Sequence, residues 1–102
     1  MAIIPVHLFG ICENMDAIKA LFGNIPLVED GACAAGAAYK GVSAGDLETI
    51  GCFSFHPSKS AGGMITTNDD HLAEVIGMLR YHGAYISEEL RHHGTGSYLA
   101  RL

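Results

Sequence analysis

The chain has 102 residues, 49% of them hydrophobic and only 17% charged, with a net charge of −5. That length makes one domain at most, or part of one, and the apolar content excludes intrinsic disorder. Six scattered Lys and Arg form no basic patch, which argues against nucleic acid binding, and the low charge implies that further chain or another subunit covers much of the surface.

The first run without Asp, Glu, Lys or Arg, residues 1–12, contains Pro5, His7 and Gly10 and is too short to span a bilayer. No basic stretch precedes it, so neither a membrane span nor a signal peptide is expected. Within it, residues 3–8 suit a buried strand. Asn14 is placed to cap a helix carrying Met15, Ile18 and Phe22 on one face, with Gly23 as its stop. Residues 25–28 form a second strand that ends at Glu29-Asp30. A run of small residues, 31–38, follows, and residues 41–45 read as a turn. Residues 51–55 are a third strand and residues 64–66 a short fourth. Thr67 and Asp70 resemble a capping box for a helix whose Leu72, Val75, Ile76 and Leu79 make an apolar stripe and which Gly83 ends.

Strands interleaved with helices predict an α/β fold with a mostly parallel sheet flanked by helices. In such sheets chemistry gathers beyond the carboxyl ends of the strands. That rule singles out Asp30, just past one strand, and the segment after Phe55, just past another. The three cysteines, Cys12, Cys33 and Cys52, have spacings that match no zinc or redox motif, so reduced thiols in a cytoplasmic protein are expected. Imidazoles at His82, His92 and His93 have no Cys or carboxylate at ligand spacing, and no metal site is expected.

Taken alone, Asp30 reads as a cap for the next turn and Lys59 as a loop lysine in solvent. Taken together they suggest more. An acid at one strand end, an amine at another and Ser nearby are the groups that pyridoxal phosphate needs: the amine for a Schiff base, the acid for the protonated pyridine nitrogen, hydroxyls for the phosphate.

The residues that carry a family resemblance stand in order along the chain. They are Pro5-Val6-His7-Leu8-Phe9-Gly10, Met15-Asp16, Glu29-Asp30, Gly36-Ala37-Ala38-Tyr39-Lys40-Gly41 and Gly51-Cys52-Phe53-Ser54-Phe55-His56-Pro57-Ser58-Lys59. Then come Gly62-Gly63-Met64-Ile65-Thr66-Thr67-Asn68-Asp69, Leu79-Arg80 and His82-Gly83. With them the sequence resembles the sugar aminotransferases of the DegT and StrS type, which use pyridoxal phosphate and have the fold-type-I aspartate aminotransferase architecture. The resemblance implies that Lys59 binds the cofactor and shuttles the proton, that Asp30 pairs with the pyridine nitrogen and that Ser54 binds the phosphate. Cys33 stands where the family commonly has Gln or His contacting the phenolic oxygen, and a thiol is a weak donor there. The implied reaction moves an amino group, usually from glutamate, to a nucleotide-linked keto sugar in a cytoplasmic homodimer. Relatives in which His replaces the lysine do not transaminate, and Lys59 favours the aminotransferase.

The family's chains are several times longer. The resemblance therefore implies that residues 1–102 are part of the large, cofactor-binding domain, with the small C-terminal domain absent and this segment inactive alone. Toward the end, Gly96-Ser97-Tyr98-Leu99-Ala100-Arg101 has Leu99 where the family places a phosphate-binding Asn. A competing reading keeps the fold without the chemistry: a non-catalytic α/β module, or remnant of that fold, serving structure or subunit contact. Only the first reading requires Lys59 to be chemically special.

Overall fold

A computed structural model describes residues 1–59 and 62–80 in full, together with the backbone of residues 84–85 and 99–100. Two compact units divide the chain, Met1–Asn68 and Asp69–Leu102.

In the first unit the chain enters as an extended segment beside β1 (Val28–Asp30), held by parallel bridges at Ile3–Leu27 and Val6–Asp30. Backbone bonds run from Ile3 N–H to Pro26 O, Val28 N–H to Ile3 O, Asp30 N–H to Pro5 O and His7 N–H to Asp30 O. Pro5 has no N–H to give, so the ladder is interrupted there and the expected first strand survives as two bridges. A tight turn then reverses the chain at Phe9 and Gly10, both at positive φ, with Leu8 bridged to Ile11.

Helix α1 (Met15–Phe22) begins as its sequence demands. The Asn14 side chain accepts from Ala17 N–H at 3.1 Å, and Gly23, at φ 60°, closes the last turn onto Lys19 O. Met15 is buried and Ile18 half-buried, while Phe22 at the end of the same face stays 47% exposed.

β1 pairs in parallel with β4 (Ile50–Ser54), and β4 pairs antiparallel with β5 (Gly63–Thr66), giving the order β1-β4-β5. With the N-terminal segment beside β1, the sheet is mixed: parallel on one side, with an antiparallel edge at β5. Between β1 and β4 the region read as small residues and a turn also forms a hairpin, β2 (Ala38–Tyr39) with β3 (Val42–Ser43). Its two-residue loop, Lys40-Gly41, has positive φ at both positions, as a type I′ turn requires. Tyr39 Oη donates to the Asn14 side chain at 3.0 Å and Lys40 pairs with Asp16, so the hairpin fastens onto the start of α1.

Two glycines make room for the Phe53 ring of β4. A Cβ on Gly31 would come within 2.8 Å of the Phe53 ring, and one on Gly45 would come within 2.5 Å of it. Only glycine admits the ring at both places.

The second unit contains α2 (Asp70–Arg80) and an antiparallel ladder of β6 (Ala84–Tyr85) with β7 (Leu99–Ala100). Its cap differs from the expected one. Asp69, not Thr67, accepts from Leu72 N–H at 3.0 Å, while Thr67 Oγ1 donates to Thr49 O within the first unit. The reason is length: an Asp carboxylate immediately before the first helical residue reaches the free N–H groups, and Thr67 stands too far upstream. Of the apolar stripe, Leu72, Val75 and Ile76 are half-buried and Leu79 is 67% exposed. The expected helix stop at Gly83, the imidazoles of His82, His92 and His93, and the side chains of the Gly96–Arg101 motif lie outside the described residues. No helix of the described residues is long and apolar enough to cross a membrane.

Candidate active site

Asp30 closes β1, and its position follows from two backbone bonds to the entering segment and one register partner, Cys52 on β4. Immediately beyond it the chain makes an Asx turn: Asp30 Oδ1 accepts from Ala32 N–H at 3.0 Å. Gly31 N–H continues the sheet to Cys52 O, and Ala34 N–H returns to Gly31 O. Cys33 sits on the outer side of this turn, exposed, with its carbonyl held by Gly10 N–H at 2.9 Å.

Lys59 arrives from the other strand end. After β4, His56-Pro57-Ser58-Lys59 forms a β-turn closed by Lys59 N–H to His56 O at 2.6 Å, with Pro57 at the position where its fixed φ favours the turn. From there Lys59 Nζ donates to Ala32 O at 2.7 Å and lies 4.0 Å from Cys33 Sγ. The Ala32 residue is thus gripped on both sides, its N–H by the Asp30 carboxylate and its C=O by the Lys59 amine. Residues 29 apart in sequence meet over one residue.

Three of the four expected site residues, Asp30, Cys33 and Lys59, are therefore neighbours. Ser54 is at the carboxyl end of β4, and among the described residues it has no hydrogen bond to the other three. Its Oγ accepts a long bond, 3.4 Å, from His56 N–H, which leaves its hydroxyl proton for another acceptor. His56 in turn contacts Ser58, Nδ1 to Oγ at 3.0 Å.

The charges around the strand ends are sorted by partner. Lys19 is paired with Glu48 at 2.5 Å and Lys40 with Asp16. Lys59 is held by a carbonyl instead. Burial pushes the Cys52 thiol up from its ordinary value, and the Asp30 charge adds to that shift. Burial and the Glu29 charge do the same to Cys12. An open cleft of about 590 Å³, lined by Lys19, Asn24, Pro26, Glu48 and Thr49 among others, lies before β1, at the opposite end of that strand from Asp30. Among the described residues no group of three or more His, Cys, Asp or Glu could hold a metal ion.

A second polar cluster, which the sequence reading did not assign, supports the first from the other face of β1. Glu29 and His7 are both wholly buried, with Glu29 Oε2 3.3 Å from His7 Nε2. His7 Nδ1 accepts from Glu13 N–H at 3.1 Å, so the ring carries its proton on Nε2 and donates it to Glu29. The same carboxylate accepts from three backbone N–H groups: Gly45 at 2.6 Å, Leu47 at 2.8 Å and Glu48 at 2.9 Å. Side chains alternate along a strand, so Glu29 pins the 45–48 turn while Asp30, next in line, faces the Ala32 turn. One signal in the sequence pointed here: a histidine inside an otherwise apolar strand must find a partner.

The profile of the DegT/DnrJ/EryC1/StrS aminotransferase family matches residues 1–100. The UDP-2-acetamido-2-deoxy-3-oxo-D-glucuronate aminotransferase of Pseudomonas aeruginosa is 47% identical over 89 residues, 80% of this chain and 25% of that protein. An aminotransferase from Psychrobacter cryohalolentis superposes with a TM-score of 0.78 at 36% identity, over 97% of this chain and 27% of that one. The E. coli GDP-4-keto-6-deoxy-D-mannose-3-dehydratase, solved with bound hydrated PLP, gives a TM-score of 0.77 at 28% identity, over 96% of this chain and 30% of that one. The chain spans about a quarter of the length of the curated relatives it matches. With a parallel β1–β4 core, an acid and an amine at its strand ends and a profile match over nearly every residue, the chain belongs to the DegT/DnrJ/EryC1/StrS aminotransferase family.

Proposed function

We propose that residues 1–102 form the cofactor-binding core of a pyridoxal-phosphate-dependent aminotransferase that transfers an amino group, from glutamate, to a nucleotide-linked keto sugar. One observation carries this reading: Lys59 Nζ and the Asp30 carboxylate grip the same residue, Ala32, from its two sides. The donor set fits the cofactor. It offers an amine outside any ion pair among the described residues, a carboxylate with only one oxygen committed to its own turn, and a hydroxyl with its proton uncommitted.

When bound, pyridoxal phosphate supplies an electron sink for negative charge developing at the carbon next to the transferred nitrogen. This chain's residues do the rest. Lys59 Nζ would hold the cofactor covalently, and its amine would hold and move the proton at that carbon. Asp30 keeps a proton on the pyridine nitrogen, where opposite charges at a partly buried strand end attract strongly. Ser54 donates to the phosphate. Cys33 lies beside the amine, where its thiol gives at most a weak hydrogen bond.

The same reading makes this segment part of the large domain of a longer protein, with a small C-terminal domain elsewhere, working as a cytoplasmic homodimer. The relatives' printed activities on nucleotide sugars support the substrate class, and the lysine at position 59 supports transamination over dehydration. The test is a titration with pyridoxal phosphate, following the visible absorption of lysine-bound cofactor. Wild-type chain develops the band, Lys59→Ala does not, and Asp30→Asn develops it at roughly tenfold or more higher cofactor concentration, the loss of one charge-assisted bond. A band of equal strength in Lys59→Ala refutes the assignment.

A further inference from the structure

We propose that Cys33 and Lys59 form an oxidant-responsive modification site, in which a hydroperoxide oxidises the Cys33 sulfur and the Lys59 amine then captures it as a sulfenamide. Two nucleophiles converge here, with Lys59 Nζ 4.0 Å from Cys33 Sγ. Both side chains are exposed, so a small peroxide reaches them. The backbone around the thiol is anchored, through Cys33 O to Gly10 N–H and the neighbouring Ala32 N–H to Asp30. The lysine is a flexible stem on a fixed turn. Closing the remaining distance needs only rotation about that stem and loss of the single bond from Nζ to Ala32 O.

The chemistry balances in two steps. In the first, sulfur attacks the peroxide: an S–O bond forms, the O–O bond breaks, the sulfur gives up two electrons, and the thiol's proton leaves with the reduced oxygen as water or alcohol. In the second, the neutral Lys59 amine attacks sulfur: an S–N bond forms, the S–O bond breaks, and the departing hydroxide takes a proton from nitrogen and leaves as water. The net change is loss of two hydrogens, and an external dithiol reverses it.

Selectivity follows from the surroundings of the three thiols. Cys12 and Cys52 are half-buried and their thiols are pushed up by burial and by the carboxylates of Glu29 and Asp30. Less of either is thiolate, the reactive form. Cys33 is exposed beside an amine. The functional consequence, which rests on the reading of Lys59 given above, is that the sulfenamide removes the amine that holds the cofactor and so switches the site off reversibly.

The experiment treats the full chain with hydrogen peroxide, then maps peptides under non-reducing conditions and traps sulfenic acid with dimedone. Wild type yields the Cys33 peptide joined to the Lys59 peptide, roughly 2 Da below their sum, and dithiothreitol releases them. Cys33→Ser gives no joined peptide. Lys59→Gln stops at the sulfenic acid and takes up about tenfold or more dimedone at Cys33 than wild type does, because the neighbouring amine outcompetes a trap in solution. Equal dimedone labelling in wild type and Lys59→Gln overturns the proposal, as does a disulfide from Cys33 to Cys12 or Cys52. The assay contains no cofactor. A chain that cross-links yet never binds pyridoxal phosphate keeps this inference and loses the proposed function, and a chain that binds the cofactor on Lys59 but never cross-links does the reverse.

Discussion

Replacing Glu29 by Gln removes no atoms of consequence to packing, yet it should cost more than almost any other single change in the first unit. The carboxylate meets four donors, two on each oxygen: His7 Nε2 and Gly45 N–H on Oε2, Leu47 and Glu48 N–H on Oε1. An amide has one acceptor oxygen, so its NH₂ must confront two donors whichever way it turns. His7 cannot relieve the clash by shifting its proton, because its Nδ1 is already accepting from Glu13 N–H. Each buried donor left without a partner costs roughly 1–3 kcal/mol, so two cost about 2–6 kcal/mol. A unit of this size has a total stability on the order of 3–10 kcal/mol. Urea unfolding followed by far-UV circular dichroism should show the midpoint falling by about 2 M or more at a slope near 1 kcal/mol/M, or no folded baseline at all. Glu13→Gln, on an exposed side chain, is the control and should stay within about 0.5 kcal/mol of wild type. If Glu29→Gln also stays within that margin, the carboxylate is not the hub that its distances describe.

Gly45→Ala should lose roughly 2 kcal/mol or more, since it adds a Cβ at φ +87° and drives it into the Phe53 ring, and Phe53→Leu in the same chain should recover part of that loss on urea unfolding. Asn14→Ala should cost about 1 kcal/mol by removing the acceptor for Ala17 N–H, whereas Asn14→Ser should cost only a few tenths, both read from the same transition. Hydrogen bonding to Lys40 is the chief cause holding the Asp16 carboxyl below its ordinary value of 3.8, with the Lys40 charge adding to it. A carboxyl depressed in the folded state contributes stability above its unfolded pKa and loses it as pH falls through the folded one. Lys40→Ala should therefore move the Asp16 titration, followed by NMR, back up toward 3.8 and remove that acid-side dependence.

The ends of α1 were legible in the sequence because local physics decides them. Asn14 and Gly23 bracket α1 since each satisfies backbone groups within its own turn. Residues 51–55 and 64–66 were recognisable as strands from apolar runs bounded by turn residues, and they pair as β4 and β5. Asp30 and the segment after Phe55 were singled out by the strand-end rule. The structure brings Asp30 and Lys59 to the two sides of Ala32, although they are 29 positions apart. The β2–β3 hairpin was missed because strands of two residues show no periodicity, and the Lys40-Gly41 turn is visible only through its backbone angles. The antiparallel sense of β5 was hidden because pairing direction depends on the path of the chain, not on composition. Thr67 was taken for a cap because its spacing to Asp70 resembles a capping box, while Asp69 lay one residue from the helix. The His7–Glu29 pair was invisible as a pair because its partners are 22 residues apart and the N–H groups it collects come from a third segment.

The most direct measurement of what this segment does is to incubate the chain with pyridoxal phosphate, reduce with borohydride and map the modified lysine by peptide mass spectrometry. Of the three lysines, Lys19 and Lys40 are committed to Glu48 and Asp16, whereas Lys59 meets a carbonyl beside Asp30's turn. Stoichiometric labelling confined to Lys59, and weakened in Asp30→Ala, is the result expected of a cofactor site built at these strand ends. Labelling spread evenly over Lys19, Lys40 and Lys59, or none at all, would contradict it and leave a non-catalytic module of the same fold.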